Sequence, residues 1–292
     1  MPGLIAARLV LGAGEGFVFT AGATWTVDIS PEDARGRAIG LFGLAIWTAL
    51  TAGPVIGEGL LALGGYDAVW AFATVSPLVA VAMAWRLPDS PVAARVAAGP
   101  RPLVSREAVR PGIALALANV GYAALAGFVV LHLAARGAGH GAAVFTAFAT
   151  AVVATRLLAG RLPDRLGPRR TAVAAALSEG AGLAVIALAH DWPGAIAGGL
   201  LMGVGFSVLY PSLALLVVDR VGEARRGTAL GGFTAFFDVG VGLGAPLAGF
   251  IASVAGYPAA FWVAAGCALA GGLLTALGAP DPRRSWTAAR AG

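Results

Sequence analysis

The sequence carries little charge and contains no lysine. Of its 292 residues, 12% are charged and 58% are hydrophobic, whereas soluble proteins carry about 25% charged residues. All 20 basic residues are arginines. A basic balance can indicate nucleic-acid binding, but most of these arginines lie in separate connections between hydrophobic stretches. We therefore expect a polytopic protein whose partner is the lipid bilayer and which binds no nucleic acid.

Residues suited to disulfide, metal or enzymatic chemistry are also few. The single cysteine, Cys267, permits no internal disulfide bond. The three histidines lack the spacing of metal ligands and are expected near the membrane surface: His132, His140 and His190. The sequence contains neither a P-loop nor a nucleophile elbow. We predict that the protein is not an enzyme and that it uses no cofactor or metal.

Hydrophobic stretches long enough to cross a bilayer follow one another along the chain. A transmembrane helix needs about 20 residues. Nine stretches qualify, at about 3–27, 38–62, 68–85, 111–134, 141–160, 171–189, 194–218, 228–254 and 259–278. The fold class that we expect is all-α, a transmembrane bundle of about nine helices.

The positions of the arginines predict how the chain is oriented in the membrane. Seventeen arginines lie in every second connection or in the C-terminal tail, whereas the other connections contain only Arg136. Short arginine-rich loops are retained on the cytoplasmic side. The sequence thus predicts a multi-pass protein of the cell membrane with a cytoplasmic C-terminus, and we expect it to act as a monomer.

The most charged and turn-rich connection covers residues 160–170 and reads Gly-Arg-Leu-Pro-Asp-Arg-Leu-Gly-Pro-Arg-Arg. Pro163, Gly167 and Pro168 favour a tight connection between two spans. The pattern Gly-x-x-x-Asp-Arg-x-Gly-x-Arg-Arg between two hydrophobic helices resembles the loop signature of the major facilitator superfamily of secondary transporters.

An internal repeat agrees with this resemblance. One ungapped shift aligns Gly12 with Gly203, Asp28 with Asp219 and Gly65 with Gly256, so the first three spans recur as the last three. Two six-helix halves in the same orientation are the parallel repeat of this superfamily. The counterparts of the middle three spans would lie before Met1. We therefore expect the chain to correspond to helices four to twelve of a twelve-helix protein.

This alignment divides the chain into four predicted segments. Residues 1–86 are the remainder of an N-terminal bundle, and residues 111–279 are a C-terminal bundle of six helices. A cytoplasmic linker at 87–110, rich in proline and arginine, joins them. Residues 280–292 form a cytoplasmic tail.

Further motifs carry the resemblance into the first spans. Residues 8–12 resemble the Arg-x-x-x-Gly signature of the fourth helix, and residues 53–57 resemble the Gly-Pro-x-x-Gly signature associated with antiporters. Ala49 and Glu58 replace glycines that are usual in the latter pattern. Residues 14–16 (Gly-Glu-Gly), with Phe-Phe-Asp at 236–238 and the glycines that follow, resemble the sugar- or arabinose-efflux-like and drug-efflux-like branch.

Ionisable side chains inside spans are the candidate functional residues, because each costs about 2.5–3.5 kcal/mol on insertion scales. Asp238 and Glu15 are the strongest candidates, followed by Glu179. A carboxyl group in an apolar cavity can take up and release a proton near neutral pH. The alternative is a structural hydrogen bond to a neighbouring helix.

Other candidates follow from helix geometry and from the resemblance. Arg8 shares a helix face with Glu15 and could pair with a carboxylate or gate the cavity. In the family the fourth, seventh and tenth helices line the cavity, which implies possible substrate contacts, or else packing positions, at Asn119, Tyr122, Ser207 and Tyr210. Close helix packing is expected at Gly12, Gly53, Pro54, Gly57, Gly240 and Gly244.

A conformational gate is predicted at the cytoplasmic face. Charged side chains there could form a cluster that locks one of two packed states; the alternative is that they only set topology. The predicted gate comprises Gly160, Asp164, Arg165, Gly167, Arg169, Arg170, Asp219 and Arg226.

These observations together predict a secondary active transporter, in which protons drive efflux of a small organic solute such as a sugar, drug or metabolite. One alternative is a proton symporter that imports a sugar, organic acid or osmolyte. The other is a membrane protein that does not transport, or an inactive fragment.

Overall fold

The structure is a computed structural model and describes residues 2–29, 35–87, 105–160, 162–221 and 226–278. All regular elements in these ranges are helices, and each of the nine predicted spans lies on one of them, which confirms the all-α fold class. The helices are α1 Pro2–Asp28, α2 Arg35–Ala84, α3 Arg106–Ala134, α4 Gly141–Ala159, α5 Leu162–Leu166, α6 Pro168–Leu188, α7 Trp192–Val218, α8 Arg226–Ala255 and α9 Tyr257–Ala276.

Two glycines divide α2 between the second and third predicted spans. Gly64 has φ −145° and ψ 17°, and Gly65 has φ 64° and ψ −160°. The conformation of Gly65 is one that residues with a Cβ rarely adopt. The chain therefore changes direction at this point, where the sequence places a connection between two spans.

Two local predictions differ from the structure. Helix α3 begins at Arg106, inside the predicted linker, because the Ser105 side chain caps it by accepting a hydrogen bond from the Ala108 amide at 3.2 Å. The connection 160–170 contains a short helix, α5, instead of only a turn. Pro163 and Pro168 lie in the first turns of α5 and α6, where the missing amide hydrogen costs nothing.

The composition of the helices suits a bilayer. Seven stretches of the described chain are long and apolar enough to cross a membrane: Ala52–Ala84, Arg106–Ala134, Gly141–Ala159, Pro168–Leu188, Trp192–Val218, Ala229–Ala255 and Tyr257–Ala276. Large apolar side chains such as Leu158, Leu243 and Phe250 are exposed on these helices. Exposure of this kind is favourable where the surrounding solvent is lipid.

The chain forms two compact units. Unit 1 consists of residues 1–49 and 56–99, and unit 2 of residues 50–55 and 100–292. Within unit 2, α6 packs against α7 and α9, α3 packs against α8 and α9, and α4 packs against α7. Glycines bring α6 and α7 together: a Cβ atom on Gly182 would lie 2.6 Å from the Gly198 carbonyl oxygen.

The helices of unit 2 alternate in direction, so that their arginines gather at one end. We call this the arginine-rich end; α3 and α6 begin there and α7 and α9 end there. At the opposite end, basic side chains of α3 and of the segment directly after it bind the end of α6. His132 Nε2 lies 2.9 Å from the Ile186 carbonyl oxygen, and Arg136 donates hydrogen bonds to the carbonyl oxygens of Ala187 and Ala189.

These bonds reach carbonyl groups at and just beyond the C-terminus of α6, where a helix runs out of its own amide donors. They give a structural reason for Arg136, the one arginine in the opposite set of connections. His132 lies two residues before the end of α3, and its side chain is buried in this contact. The expectation that it lies near the membrane surface stays a prediction. His140 and His190 are exposed.

Candidate substrate and proton site

Polar side chains from three helices meet in unit 2. The Tyr210 hydroxyl of α7 shares a 2.8 Å hydrogen bond with the Thr234 hydroxyl of α8. Both Arg156 of α4 and Asp238 of α8 lie near enough for their charges to act on Tyr210. We call Arg156, Tyr210, Thr234 and Asp238 the polar cluster.

Helix geometry explains how the polar cluster forms. Thr234 and Asp238 are four residues apart on α8 and therefore share one face of the helix. On α7, Ser207 and Tyr210 are one turn apart, and the Ser207 carbonyl oxygen accepts a hydrogen bond of 3.1 Å from Arg156. The guanidinium of Arg156 is thus held against α7 beside Tyr210. Asp238, near the middle of α8, is exposed.

Five aromatic rings form a second cluster, whose Phe237 precedes Asp238 on α8 and whose Phe206 lies one turn before Tyr210 on α7. The Tyr122 ring of α3 is stacked 5.5 Å from the Phe206 ring of α7 and lies 6.4 Å from the Phe237 ring of α8. Phe145 and Phe148 of α4 complete this aromatic cluster, with centroids 6.4 Å and 6.0 Å from that of Tyr122. Phe148 and Phe206 are buried, whereas the other three are half-buried. The aromatic cluster therefore has an accessible side, suited to contact with an apolar or ring-containing molecule.

Arg156 is the member of the polar cluster that sequence reasoning missed. It lies one turn before the end of α4. It belongs neither to the arginines of the connections nor to the ionisable residues that the sequence analysis selects inside spans. The rule that selects the carboxylates applies equally to an arginine within an apolar span. Applied to every ionisable residue, it would have found Arg156.

Glu179 is on α6, outside the polar cluster, and is fully buried. Neither carboxyl oxygen has a hydrogen-bond partner in the described part of the chain. A Cβ atom on Gly121 of α3 would lie 3.0 Å from its Oε1 atom, and one on Gly205 of α7 would lie 2.7 Å from its amide nitrogen. The two glycines thus make room for Glu179 between α3 and α7. A buried polar group without a partner is costly.

The other cavity candidates of unit 2 make internal hydrogen bonds. Asn119 is buried, and its Nδ2 donates to the Leu115 carbonyl oxygen at 2.8 Å. The Ser207 hydroxyl is buried and donates to the Val152 carbonyl oxygen at 2.8 Å. Of the candidates taken from the family resemblance, Tyr122 and Tyr210 are thus the two that remain partly accessible.

The candidates of α1, together with Gly57 and Glu58 of α2, belong to unit 1, whereas Gly53 and Pro54 belong to unit 2. Arg8 and Glu15 are both exposed on α1, and Gly53 and Glu58 are exposed on α2. Among the described residues, a Cβ atom on any of the glycines predicted for close packing in this part of the chain would meet no atom within 4 Å: Gly12, Gly53 and Gly57. Pro54 is half-buried. The packing roles of these four positions stay predictions.

The packing glycines of α8 have close neighbours. A Cβ atom on Gly240 would lie 2.7 Å from the Ala116 Cα atom, and one on Gly244 would lie 2.9 Å from the Val120 Cα atom. Both contacts are with α3. The neighbouring Gly242 faces open space, since a Cβ atom added there would have no described atom within 4 Å.

The predicted gate is only partly described. Gly160 follows α4, Gly167 separates α5 from α6 with φ 89°, and Asp219 follows α7. Arg165 and Arg170 are exposed, whereas Arg169 is half-buried. The side chains of Asp164 and Arg226 lie outside the described residues. The charge lock therefore stays a prediction.

A bundle of apolar helices with charged and aromatic side chains gathered inside its spans defines a class of protein, the polytopic membrane transporters. The family model of the Major Facilitator Superfamily matches residues 1–144 and 112–292. The chain belongs to this superfamily.

Two relatives described as MFS-type transporters support this assignment. An uncharacterized MFS-type transporter of Salmonella typhimurium is 35% identical over 271 residues, which cover 92% of this chain and 69% of the relative. The uncharacterized MFS-type transporter YhhS of Escherichia coli is 33% identical over 273 residues, covering 92% of this chain and 66% of the relative. The chain thus spans about two thirds of the length of these relatives.

A solved structure has the same fold. The Escherichia coli fucose:proton symporter FucP superposes with a TM-score of 0.64 over 93% of this chain and 76% of its own. Because the two sequences are 16% identical, this similarity shows the fold alone.

Proposed function

We propose that this protein is a secondary active transporter that expels a small organic solute in exchange for protons, by alternating access between its two helical bundles. Membership of the superfamily supports transport. The antiporter-like pattern at 53–57 supports export. The observation that carries the proposal is the polar cluster, because it gathers a carboxyl group, a guanidinium group and two hydroxyl groups within apolar spans.

In this proposal Asp238 carries the proton. Its exposed position lets water or substrate reach the carboxyl group when the site opens. Arg156 supplies a fixed positive charge beside Tyr210, which compensates the carboxylate after the proton has left. Glu15 of α1 and Glu179 of α6 are the further candidates for proton transfer.

The aromatic cluster supplies the substrate-binding wall in this proposal. Rings from α3, α4, α7 and α8 contribute to it, so a molecule bound there would touch four helices at once. Such contacts can favour one packing of the bundle over another. A sugar, a drug or another metabolite with an apolar or ring face fits this surface.

Import by proton symport is the second candidate. Glu58, which replaces a glycine of the antiporter-like pattern, weakens the argument for export, and the protein of similar fold is a fucose:proton symporter. At 16% identity its direction of coupling does not transfer to this chain. The third candidate is a membrane protein that does not transport.

Transport measurements on the purified chain separate the three candidates. The chain would be reconstituted in proteoliposomes with a pH-sensitive dye inside, and sugars, organic acids and cationic drugs would be added one class at a time. Solute and protons moving in opposite directions is the expected result. Movement in the same direction would identify a symporter. If solutes bind without any flux, or neither bind nor move, the non-transporting candidate gains support.

The predicted gate has its own test in the same vesicles. Asp164→Asn removes one charge of the proposed lock and leaves the apolar spans unchanged, so we expect slower transport at normal membrane levels. Unchanged transport would mean that the loop only sets topology.

A further inference from the structure

Glu179 lies halfway along α6, which packs against α3, α7 and α9. Its side chain is 0% exposed, and neither carboxyl oxygen has a hydrogen-bond partner among the described residues. A Cβ atom added to Gly121 of α3 would lie 3.0 Å from Oε1, 2.7 Å from Leu183 Cδ1 and 3.6 Å from Met202 Cε. The carboxyl group therefore ends among apolar side chains and a glycine.

The backbones of α6 and α7 touch one turn before and one turn after Glu179. On one side, a Cβ atom on Gly205 would overlap the Ala175 carbonyl oxygen. On the other side, a Cβ atom on Gly182 would lie 2.6 Å from the Gly198 carbonyl oxygen. Contacts this close leave no space for water between the two helices. Glu179 is thus enclosed along the length of the α6–α7 contact.

Charged groups do not compensate a negative charge on Glu179. The titratable side chains inside the helices packed against it all have other neighbours: Tyr122 stacks on Phe206, His132 binds Ile186, Tyr210 binds Thr234, and Cys267 of α9 is half-buried. The charged residues of α6 itself, Arg169 and Arg170, lie in its first turn. Within the described part of the chain, none of these groups acts electrostatically on Glu179.

The two forms of the carboxyl group differ greatly in how well they suit this position. An uncompensated negative charge in an apolar span loses its hydration and gains no partner, which is the most costly state for such a group. The neutral acid gives up only its hydrogen bonds with water. The packing described for α3, α6 and α7 therefore favours the form that carries a proton.

We propose that Glu179 is a second proton-binding site, separate from the polar cluster, and that it holds a proton in the packing described here. Release of this proton leaves a carboxylate that needs water, so it requires α6 and α7 to separate. The proton then acts as a ligand that favours the closed packing of these helices over any packing in which Glu179 meets water. This role does not depend on the direction or even the occurrence of transport.

Infrared spectroscopy of the purified chain in lipid tests whether Glu179 is protonated. A protonated carboxyl group has a carbonyl stretching band that an ionised carboxylate lacks. At neutral pH we expect this band in the parent chain and the loss of one carboxyl contribution in Glu179→Gln.

Glu58→Gln is the matched control, because it makes the same substitution at an exposed glutamate of unit 1. The band is expected to be unchanged in this variant. A parent spectrum in which no part of the band depends on Glu179 would overturn the proposal. An equal loss in the two variants would do the same.

Transfer of the same sample into heavy water tests the enclosure. The Glu179 part of the band shifts when its proton is replaced by deuterium, and we expect this exchange to be slow because the helices must separate first. Exchange that is complete at once would mean that water reaches Glu179 in this packing, and the proposed link to helix separation would be wrong.

Thermal unfolding as a function of pH gives a measurement that needs neither spectroscopy of the carboxyl group nor transport. The folded chain keeps the Glu179 proton at pH values at which the unfolded chain has released it, so stability falls as the pH rises. For one proton the equilibrium constant of unfolding increases by up to about tenfold per pH unit.

In Glu179→Gln this contribution is absent, and the variant is expected to lose less stability than the parent chain between mildly acidic and neutral pH. Parallel pH profiles of the two proteins would overturn the proposal. If Glu179→Gln does not fold, Glu179→Met replaces it in both measurements, because methionine also has no ionisable group. A chain that moves no solute tests the proposal equally well, so its failure is distinct from failure of the transport function.

Discussion

Asp238 is an exposed carboxylate near the middle of an otherwise apolar helix. Its charge and that of Arg156 both act on Tyr210. A carboxylate and a guanidinium from different helices therefore lie near one hydroxyl group. Moving a proton on or off Asp238 changes the balance of charge between α4, α7 and α8. A single residue can in this way influence how three helices pack.

We expect Asp238→Asn to abolish solute flux driven by a pH gradient but to leave exchange of solute at equal concentrations partly active. The neutral amide mimics the protonated carboxyl group, so the conformational change remains possible while the proton is removed from the cycle. Proteoliposomes with an imposed pH gradient measure both activities. Asp67→Asn, which changes an exposed acid outside the polar cluster, serves as the control. Gradient-driven flux that persists in Asp238→Asn would move the coupling site to Glu15 or Glu179.

Glu179 presents the opposite situation, a carboxyl group enclosed by the protein without a hydrogen-bond partner among the described residues. We expect Glu179→Met to raise the free energy of unfolding by about 1–3 kcal/mol, because it replaces an unsatisfied polar group by an apolar one of similar size. Thermal unfolding in detergent measures this change. A clear loss of stability would show instead that Glu179 makes a stabilising interaction. Transport by the same variant shows whether Glu179, although it lowers the stability of the fold, is needed for proton transfer.

At the scale of helices, the contact between α3 and α8 depends on glycine. The Gly240 position leaves no room for a methyl group, since its Cβ atom would lie 2.7 Å from the Ala116 Cα atom and 2.8 Å from the Asn119 Cβ atom. Two residues further along, Gly242 is exposed. The same helix thus offers a packed and an unpacked glycine for comparison.

We expect Gly240→Ala to lower the stability of unit 2 by about 1–3 kcal/mol, because α3 and α8 must move apart to accept the added carbon. Gly242→Ala has no atom to displace and should leave stability unchanged or slightly higher. Thermal unfolding of both variants under the same conditions gives the comparison. Equal effects at the two positions would mean that the close contact does not contribute to stability.

At the scale of the whole molecule, the two ends of unit 2 differ in the number of arginines that they carry. Arg110, Arg165, Arg169 and Arg220 lie at one end, whereas the other end has Arg136, whose side chain is used to close α6. From the positive-inside rule we expect the arginine-rich end to lie in the cytoplasm. Orientation also decides which face the gate would occupy.

Labelling of single cysteines tests this orientation. In a Cys267→Ala background, Arg165→Cys and His190→Cys put exposed thiols at the arginine-rich end and at the opposite end. A maleimide that does not cross membranes is expected to label His190→Cys on intact cells and Arg165→Cys only after lysis. The reverse pattern would mean that the chain is inserted with its arginine-rich end outside.

Much of the architecture could be predicted from the sequence because a bilayer allows so few structures. Each long apolar stretch must satisfy its own backbone hydrogen bonds, and a helix is the simplest solution. The nine predicted spans therefore lie on helices, and the motif at 160–170 together with the internal repeat led to the correct superfamily. The local boundaries depend on capping residues: with Ser105 as its cap α3 begins at Arg106, before the expected start of the span at about 111, and the connection at 160–170 contains the short helix α5.

The functional surroundings of individual residues were decided by the tertiary structure. The sequence places Glu179 and Asp238 in spans, but it does not show that one faces closely packed glycines and the other lies exposed near Tyr210. His132 and Arg156 find their partners more than 50 residues away, at Ile186 and Ser207. Hydropathy depends on residues that are neighbours in the chain, whereas these contacts depend on which helix faces meet, and the packing of small residues between helices determines that.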